Sequence, residues 1–478
     1  MILAIDQGTT GTTCLILDKD SQIVDRSYQE FTQIFPQPAW VEHDPEEIWQ
    51  SVIQTINQLD GEKLAKVVAI GITNQRETTV VWDKKTGVPV YNAIVWQCRR
   101  TSDYCQTLTN SDEITHKTGL PVDPYFSASK INWILNETKV DPDTVLFGTI
   151  DSWLIYKLTG NHYTDHTNAS RTLLYNIETK SWDSDLCKTF AVAESMLPKI
   201  KNSIADFGEV NCAKLENLSK IKILAVAGDQ QAALFGQCCV EKGEMKNTYG
   251  TGAFMMMNTG DELIRSTHGI LTTIAIDATG APCYALEGSV FIAGAAIQWI
   301  RDELELIKDA AESEAAALAV DDTAGVYLVP AFVGLGAPWW TADARGIITG
   351  LTRGANKNHI IRAALESMAY QSLDVLEAIE KDAGLKVSSL AVDGGATANN
   401  FLMQFQADIL QVSVIRPGII DSTALGAAYL AGINAGIWKD VDELRQKKEI
   451  DTEFQPAMQK DTKKALIEGW HEAIDLIK

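Results

Sequence analysis

The chain opens on an apolar, β-prone run, Met1-Ile2-Leu3-Ala4-Ile5. It leads into Asp6-Gln7-Gly8-Thr9-Thr10-Gly11-Thr12-Thr13, and a second apolar run, Cys14-Leu15-Ile16-Leu17, follows directly. Two such runs joined by glycines specify strand, turn, strand, with an acid at the mouth of the hairpin. Glycines let a backbone approach an anion, and successive N–H groups with threonine hydroxyls can cradle phosphate oxygens. An Asp beside phosphate repels it unless a cation lies between, so Mg2+ enters the reading. The same residues also suit an ordinary tight turn with a capping Asp, and a short glycine-rich motif alone does not choose between them.

The second half carries an echo. Asn247-Thr248-Tyr249-Gly250-Thr251-Gly252-Ala253-Phe254-Met255 again joins a glycine/threonine turn to an apolar run, and Leu390-Ala391-Val392-Asp393-Gly394-Gly395-Ala396 leads into helical spacing at 399–410. Strand-like runs at 67–72 and 78–82 alternate with helical stretches at 44–57, 127–136 and 359–379. Asp44, Pro45 and Glu46-Glu47 make a helix start. Alternation of this kind predicts an α/β fold with mixed sheets. A chain of 478 residues is long enough for two domains. The echo places them at 1–240 and 241–478, facing each other across a cleft so that both turns reach one nucleotide.

A formal net charge of −22 argues against nucleic acid or an anionic membrane surface as partner, since both require basic patches. No run is long and apolar enough to insert in a membrane, and no signal peptide is recognisable. The eight cysteines are scattered without a Cys-x-x-Cys spacing, which fits reduced thiols in a cytoplasmic protein. The dispersed histidines offer no zinc spacing.

No Gly-x-x-x-x-Gly-Lys-[Ser/Thr] segment is present, so nucleotide binding would rest on the turns at Thr9-Thr10 and Thr251 and on Gly395-Ala396 with Asn399. Glycines at helix entries are equally needed for packing. In Ala225-Val226-Ala227-Gly228-Asp229-Gln230-Gln231 a β-run ends at Gly228 and a helix follows. Asp229 is either a helix cap or a general base whose ionised form the helix dipole favours. Thr73-Asn74-Gln75-Arg76-Glu77-Thr78 lies at a strand end. Arg76 and Glu77 diverge if the strand continues and converge if it turns, as a surface ion pair or as a donor and an acceptor for a polyol. Trp96 and Phe254 suit either a core or the apolar wall of a small polyol site.

Longer segments carry a resemblance. Tyr125-Phe126-Ser127-Ala128-Ser129-Lys130 through Glu137, and Gly346-Ile347-Ile348-Thr349-Gly350-Leu351 through Glu366, resemble the two signatures of the FGGY carbohydrate kinases. Asn74 to Thr79, Ile94 to Thr101, Asp165-His166-Thr167-Asn168-Ala169-Ser170-Arg171-Thr172 and Gly228 to Gln231 are similar to the branch of that family whose acceptor is glycerol. The resemblance spans nearly the whole chain, weakening at 176–222 and after 445. It implies two RNase H-like, actin-like ATPase domains around a cleft, and a kinase that uses ATP and Mg2+ and releases ADP. By position, Asp229 would be the general base, and Arg76, Glu77, Tyr125, Asp229 and Gln230 would bond the triol between Trp96 and Phe254. Thr9, Thr10 and Thr251 would meet phosphates, and Gly294, Gln298, Gly395, Ala396 and Asn399 would line the nucleotide site. Asp6, with Asp229, would hold Mg2+ through water. A homo-oligomer, dimer or tetramer, is also implied. Thr13 stands where the family's phosphate loop has an Arg. Residues 211–223 lack both the glycine-rich, Arg-containing loop and the phosphorylatable His of regulated members, so neither form of regulation carries over.

Overall fold

The computed structural model describes residues 1–341 and 343–478. Its first sheet is built from β1 (Ile2–Gln7), β2 (Gly11–Leu17), β3 (Ile23–Glu30), β4 (Ala69–Asn74), β5 (Ile204–Glu209) and β6 (Lys222–Gly228), in the order β5-β6-β4-β1-β2-β3. Strands β1, β4 and β6 are parallel, and β3 at the edge runs in the same direction; β2 and β5 run against them. The second sheet is built from β7 (Met245–Tyr249), β8 (Ala253–Gly260), β9 (Leu271–Ile276), β10 (Pro282–Val290), β11 (Ser389–Asp393), β12 (Ser413–Pro417) and β13 (Ile450–Phe454), in the order β9-β10-β8-β7-β11-β12-β13. Strands β7, β11 and β12 are parallel here, and the hairpin β7–β8 takes the place of β1–β2. The echo in the sequence is therefore a repeated topology: a hairpin, a third antiparallel strand, then two parallel strands on the hairpin's far side.

Both faces of the first sheet are buried, which explains the unbroken apolar run of β1. Leu3 and Ile5 face helix α1 (Pro45–Gln58) and the helix Ile150–Thr159, whereas Ile2 and Ala4 face the opposite layer. Asp44 caps α1 by accepting from the Glu46 N–H at 2.8 Å, as its sequence predicts. The helices expected at 127–136 and 359–379 are Ser127–Thr138 and Lys357–Ala383.

The opposite layer was not legible in the sequence. It is made by α3 (Asp229–Gly236) and by α7 (Ser422–Asn434), numbered after α2 (Ser127–Thr138), α4 (Gly294–Asp302), α5 (Lys357–Ala383) and α6 (Asn400–Leu410). Helix α7 lies beyond residue 241 in sequence, yet Ala424, Leu425, Ala428 and Ala431 pack with residues of the first sheet. Two glycines set the approach. A Cβ at Gly71 in β4 would stand 2.0 Å from the Ala427 carbonyl oxygen, and one at Gly426 would stand 1.8 Å from that of Ala232. Small residues let the α7 backbone meet β4 at Gly71 and α3 at Gly426, and α7 ties the two halves of the chain into one core. The cysteines are free; seven are buried and Cys212 is partly so. Among the described residues no helix is long and apolar enough to cross a membrane.

Candidate active site

Strands β1, β4 and β6 lie side by side and end together: Gln7 pairs with Asn74, and Asn74 with Gly228. Their carboxyl ends present Asp6, the 74–77 segment and Asp229 along one edge, where open parallel sheets leave a crevice for ligands. After Asn74 the chain turns sharply. Glu77 has a φ of 61°, and the Thr78 N–H donates to the Arg76 carbonyl at 2.7 Å. A glutamate in the left-handed region costs energy and needs surrounding structure to hold it. The turn makes Arg76 and Glu77 converge, Nε to Oε1 at 3.8 Å, and closes the divergent alternative.

What holds the turn is a buried ion cluster across the two halves. Arg76 donates to both carboxylate oxygens of Glu287, at 2.7 and 2.8 Å, and its Nε lies 3.1 Å from Asp229 Oδ1. Arg171 donates to Glu77 at 2.6 Å and to Glu287 at 3.2 Å. These four side chains are at most 2% exposed, while Asp229 is 29% exposed and so remains open to a ligand. Burial would raise Glu287, but the guanidiniums of Arg171 and Arg76 outweigh it and bring the carboxyl down to about 2. Glu77 is raised, because burial exceeds the relief from Arg171 and Arg76.

Asp229 is not the cap of α3. Gly228 holds that position, and its N–H donates to the Thr167 hydroxyl at 2.8 Å. A Cβ at Gly228 would come 2.8 Å from the Arg76 side-chain stem, so the glycine makes room for the arginine. Asp229 is the first helical residue and accepts from the Gln230 N–H at 2.7 Å. The expectation that the helix terminus keeps it readily ionised needs correction: burial raises its pKa, with Arg76, the Gln230 N–H and Lys246 opposing. The Asp6 carboxyl makes no hydrogen bond or ion pair among the described residues. Burial, then Asp229 and Asp421, push it up to about 7. Among the described residues no three His, Cys, Asp or Glu side chains form a metal cage. An unpaired carboxylate beside a second one still suits Mg2+, which takes one or two carboxylates with water and phosphate.

Beside the ion cluster stands an aromatic wall, with the Arg171 guanidinium 5.7 Å from the centroid of the Tyr125 ring. Trp96 meets Tyr125 edge-on at 5.7 Å and Phe254 at 6.5 Å between ring centroids. The Trp96 indole N–H donates to the Thr9 hydroxyl at 3.0 Å, so Thr9 belongs to this wall as much as to the first turn. Thr10 is exposed at the turn, which closes through Gly8 N–H to Gly11 O at 2.9 Å.

The second turn closes through Gly250 N–H to Gly252 O at 2.8 Å and docks on the head of α4. The Ala293 and Ala295 N–H groups donate to the Thr251 carbonyl at 2.8 and 3.1 Å, and the Gly294 N–H donates to the Gly250 carbonyl at 3.1 Å. Thr251, Gln298 and Gly395 are exposed. Gly394, with φ of 90°, lies 2.1 Å (as a Cβ) from the Tyr249 carbonyl, so its glycine is structural, whereas a Cβ at Gly395 would touch nothing. Ala396 follows in the same turn. Asn399 caps α6 by accepting from the Leu402 N–H at 2.9 Å and donates to Ser313 at 3.3 Å, so its amide already has a structural task.

Three site residues escaped the sequence reading as individuals: Glu287, Arg171 and Lys246. Glu287 had a signal, a lone acid inside the apolar strand Cys283-Tyr284-Ala285-Leu286-Glu287. Arg171 and Lys246 sit in or beside motifs already singled out, but their partners lie about a hundred residues away in the case of Arg171.

Comparison with known proteins agrees with this architecture. Residues 1–236 match the N-terminal domain model of the FGGY family of carbohydrate kinases and residues 245–435 the C-terminal one. The chain is 54% identical to a glycerol kinase of Fusobacterium nucleatum, covering 100% of this chain and 99% of that protein. It is 54% identical to one of Shewanella woodyi, covering 99% and 98%. A crystal structure of Plasmodium falciparum glycerol kinase with ADP superposes with a TM-score of 0.92 at 38% identity, covering 100% and 98%. A ligand-bound xylulose kinase from Lactobacillus acidophilus shares the fold, with a TM-score of 0.88 at 23% identity, covering 99% and 97%. With both halves matched by domain models and full-length relatives at this identity, the chain belongs to the FGGY family of carbohydrate kinases.

Proposed function

We propose that this chain transfers the γ-phosphoryl group of ATP to a terminal hydroxyl of glycerol, giving sn-glycerol 3-phosphate and ADP. The observation that carries the reading is Asp229. It is the one open carboxylate of the ion cluster, held by Arg76, and the cluster adjoins the Trp96–Tyr125–Phe254 wall through Arg171 over Tyr125. Full-length likeness to proteins named glycerol kinase, one of them solved with ADP, supports the substrates.

In this reading 1–240 supplies the acceptor site and first phosphate turn, and 241–478 the second turn and the nucleoside side. Asp229 accepts the proton of the attacking hydroxyl, whose oxygen bonds to the γ-phosphorus as the bond to the ADP oxygen breaks. Arg76, Glu77, Tyr125 and Gln230 orient the triol, while Trp96 and Phe254 cover its carbons. The first turn at Thr9 and Thr10 and the second at Thr251, with Gly294, Gln298, Gly395, Ala396 and Asn399, would hold the nucleotide. Asp6 and Asp229 would hold Mg2+ through water, where it offsets phosphate charge. Water is too small to exclude by size, so productive closure of the two halves must depend on the polyol. Trp96 and Phe254 favour a small acceptor over a sugar. A cytoplasmic homo-oligomer fits the free cysteines and the family resemblance, and light scattering measures its size.

The test is ADP release with and without glycerol across a panel of polyols. Glycerol-dependent release, weak with longer polyols, is expected; equal rates without any polyol refute the kinase reading.

A further inference from the structure

Lys246, on β7, is fully buried, and the mechanism above does not use it. Its ammonium has three protons and three acceptors: the Gln230 side-chain oxygen, the Thr248 hydroxyl at 2.7 Å and the Phe254 carbonyl at 3.1 Å. Those acceptors come from three places. Gln230 lies on α3 next to Asp229, Phe254 is in the aromatic wall, and Thr248 is two residues before the second turn. The surroundings retain the charge. Burial lowers Lys246 to about 8 and Arg76 adds to this, while Asp393, Glu287 and Asp229 oppose it and leave the ammonium the main form at neutral pH.

We propose that Lys246 is a positioning residue that fixes the direction of the Gln230 amide. An ammonium donates only, so the face of the amide toward it must be the oxygen. The NH2 group is thereby turned away from Lys246 and toward the acceptor site. Asp229 is acceptor-only when ionised, so the pair offers a hydroxyl one acceptor and one donor. A hydroxyl group, which donates one proton and keeps lone pairs, matches that pair. Lys246 also joins both halves of the chain at the same point, so the donor, the wall and the second turn are set by one group. The inference rests on the functional reading above, because it names the atom of Gln230 that meets glycerol.

The experiment measures steady-state kinetics of the full chain, Lys246→Met, Gln230→Ala and the double variant. Lys246→Met is expected to raise KM for glycerol by roughly tenfold or more, as for loss of a charge-assisted bond, with KM for ATP changed less than threefold. In the Gln230→Ala background the same substitution is expected to add little to KM for glycerol, since the amide it orients is gone. An unchanged glycerol KM, or an equal effect in both backgrounds, overturns the proposal. Gln230→Glu covers the case in which Lys246→Met does not fold: it keeps an acceptor for Lys246 but puts oxygen where the NH2 stood. A roughly tenfold rise in glycerol KM supports the assigned direction, and parent-like glycerol KM overturns it. A parent chain without glycerol-dependent ADP release refutes the functional reading and the ligand assigned to Gln230. A working parent with an unaffected Lys246→Met refutes only the role of Lys246.

Discussion

Glu287→Gln isolates the ion cluster that holds the candidate site together. The substitution keeps the shape of the side chain and removes its charge. Arg76 and Arg171, both buried, then face a neutral amide in place of a carboxylate that accepts from them at 2.7, 2.8 and 3.2 Å. Two routes give the size of the effect. A carboxyl held at about 2 against an ordinary 4.5 contributes about 3 kcal/mol at neutral pH. Removing one partner of a buried ion pair costs about 3–5 kcal/mol. The sign with pH follows from the lowered pKa. The contribution is complete above pH 4.5 and is lost as pH falls toward 2, because the unfolded chain takes up the proton first. Urea unfolding of parent and variant, followed by tryptophan fluorescence between pH 7 and 3.5, reads the gap. It should be about 3 kcal/mol at pH 7, level down to pH 5, and narrower below. A gap under about 1 kcal/mol at pH 7, or one that does not narrow in acid, refutes the assignment of Glu287 as the anionic centre of the cluster.

Asp229→Asn should lower kcat by about a hundredfold or more while glycerol still raises the melting temperature; retained turnover removes Asp229 from the role of base. In the parent, activity needs ionised Asp229, whose pKa burial raises, so the acid limb of the kcat profile should lie above the ordinary carboxylate value of 3.8 and disappear in the Asn variant. Thr13 lies opposite Asp6 in the β1–β2 register, so Thr13→Arg puts a cation on the face of Asp6 at the first turn. It should lower KM for ATP or raise kcat; unchanged values mean that the missing charge has no role. Gly71→Ala drives a methyl group into the Ala427 backbone and should destabilise the chain by about 2 kcal/mol or more, read by thermal unfolding; a parent-like midpoint refutes the close packing of α7.

Local chemistry was legible without coordinates. The hairpin at Gly8 to Gly11, its echo at Gly250 to Gly252, and the cap at Asp44 follow from turn and cap preferences that act over a few residues. The identity of the open acid was also within reach, since Asp229 ends an apolar strand. Its setting was not. Whether Arg76 and Glu77 converge depends on a strained turn at Glu77, which Arg171 and Glu287 hold in place from elsewhere in the chain. Whether Thr9 serves phosphate alone depends on Trp96 reaching it.

Sequence thus settled what repeats in this protein: two strand–turn–strand units, each followed by helical and strand segments, with an acid at the end of a strand in each half. That information lies in short-range periodicity and turn residues. Only the tertiary structure decided which charges are partners. The arginines, glutamates and lysine around Asp229 come from segments as distant as Arg76 and Glu287, and long-range Coulomb pairing leaves no trace in local spacing. It also decided that α7 packs on the first sheet through Gly71 and on α3 through Gly426, because close approach is a property of two surfaces meeting and not of either segment alone.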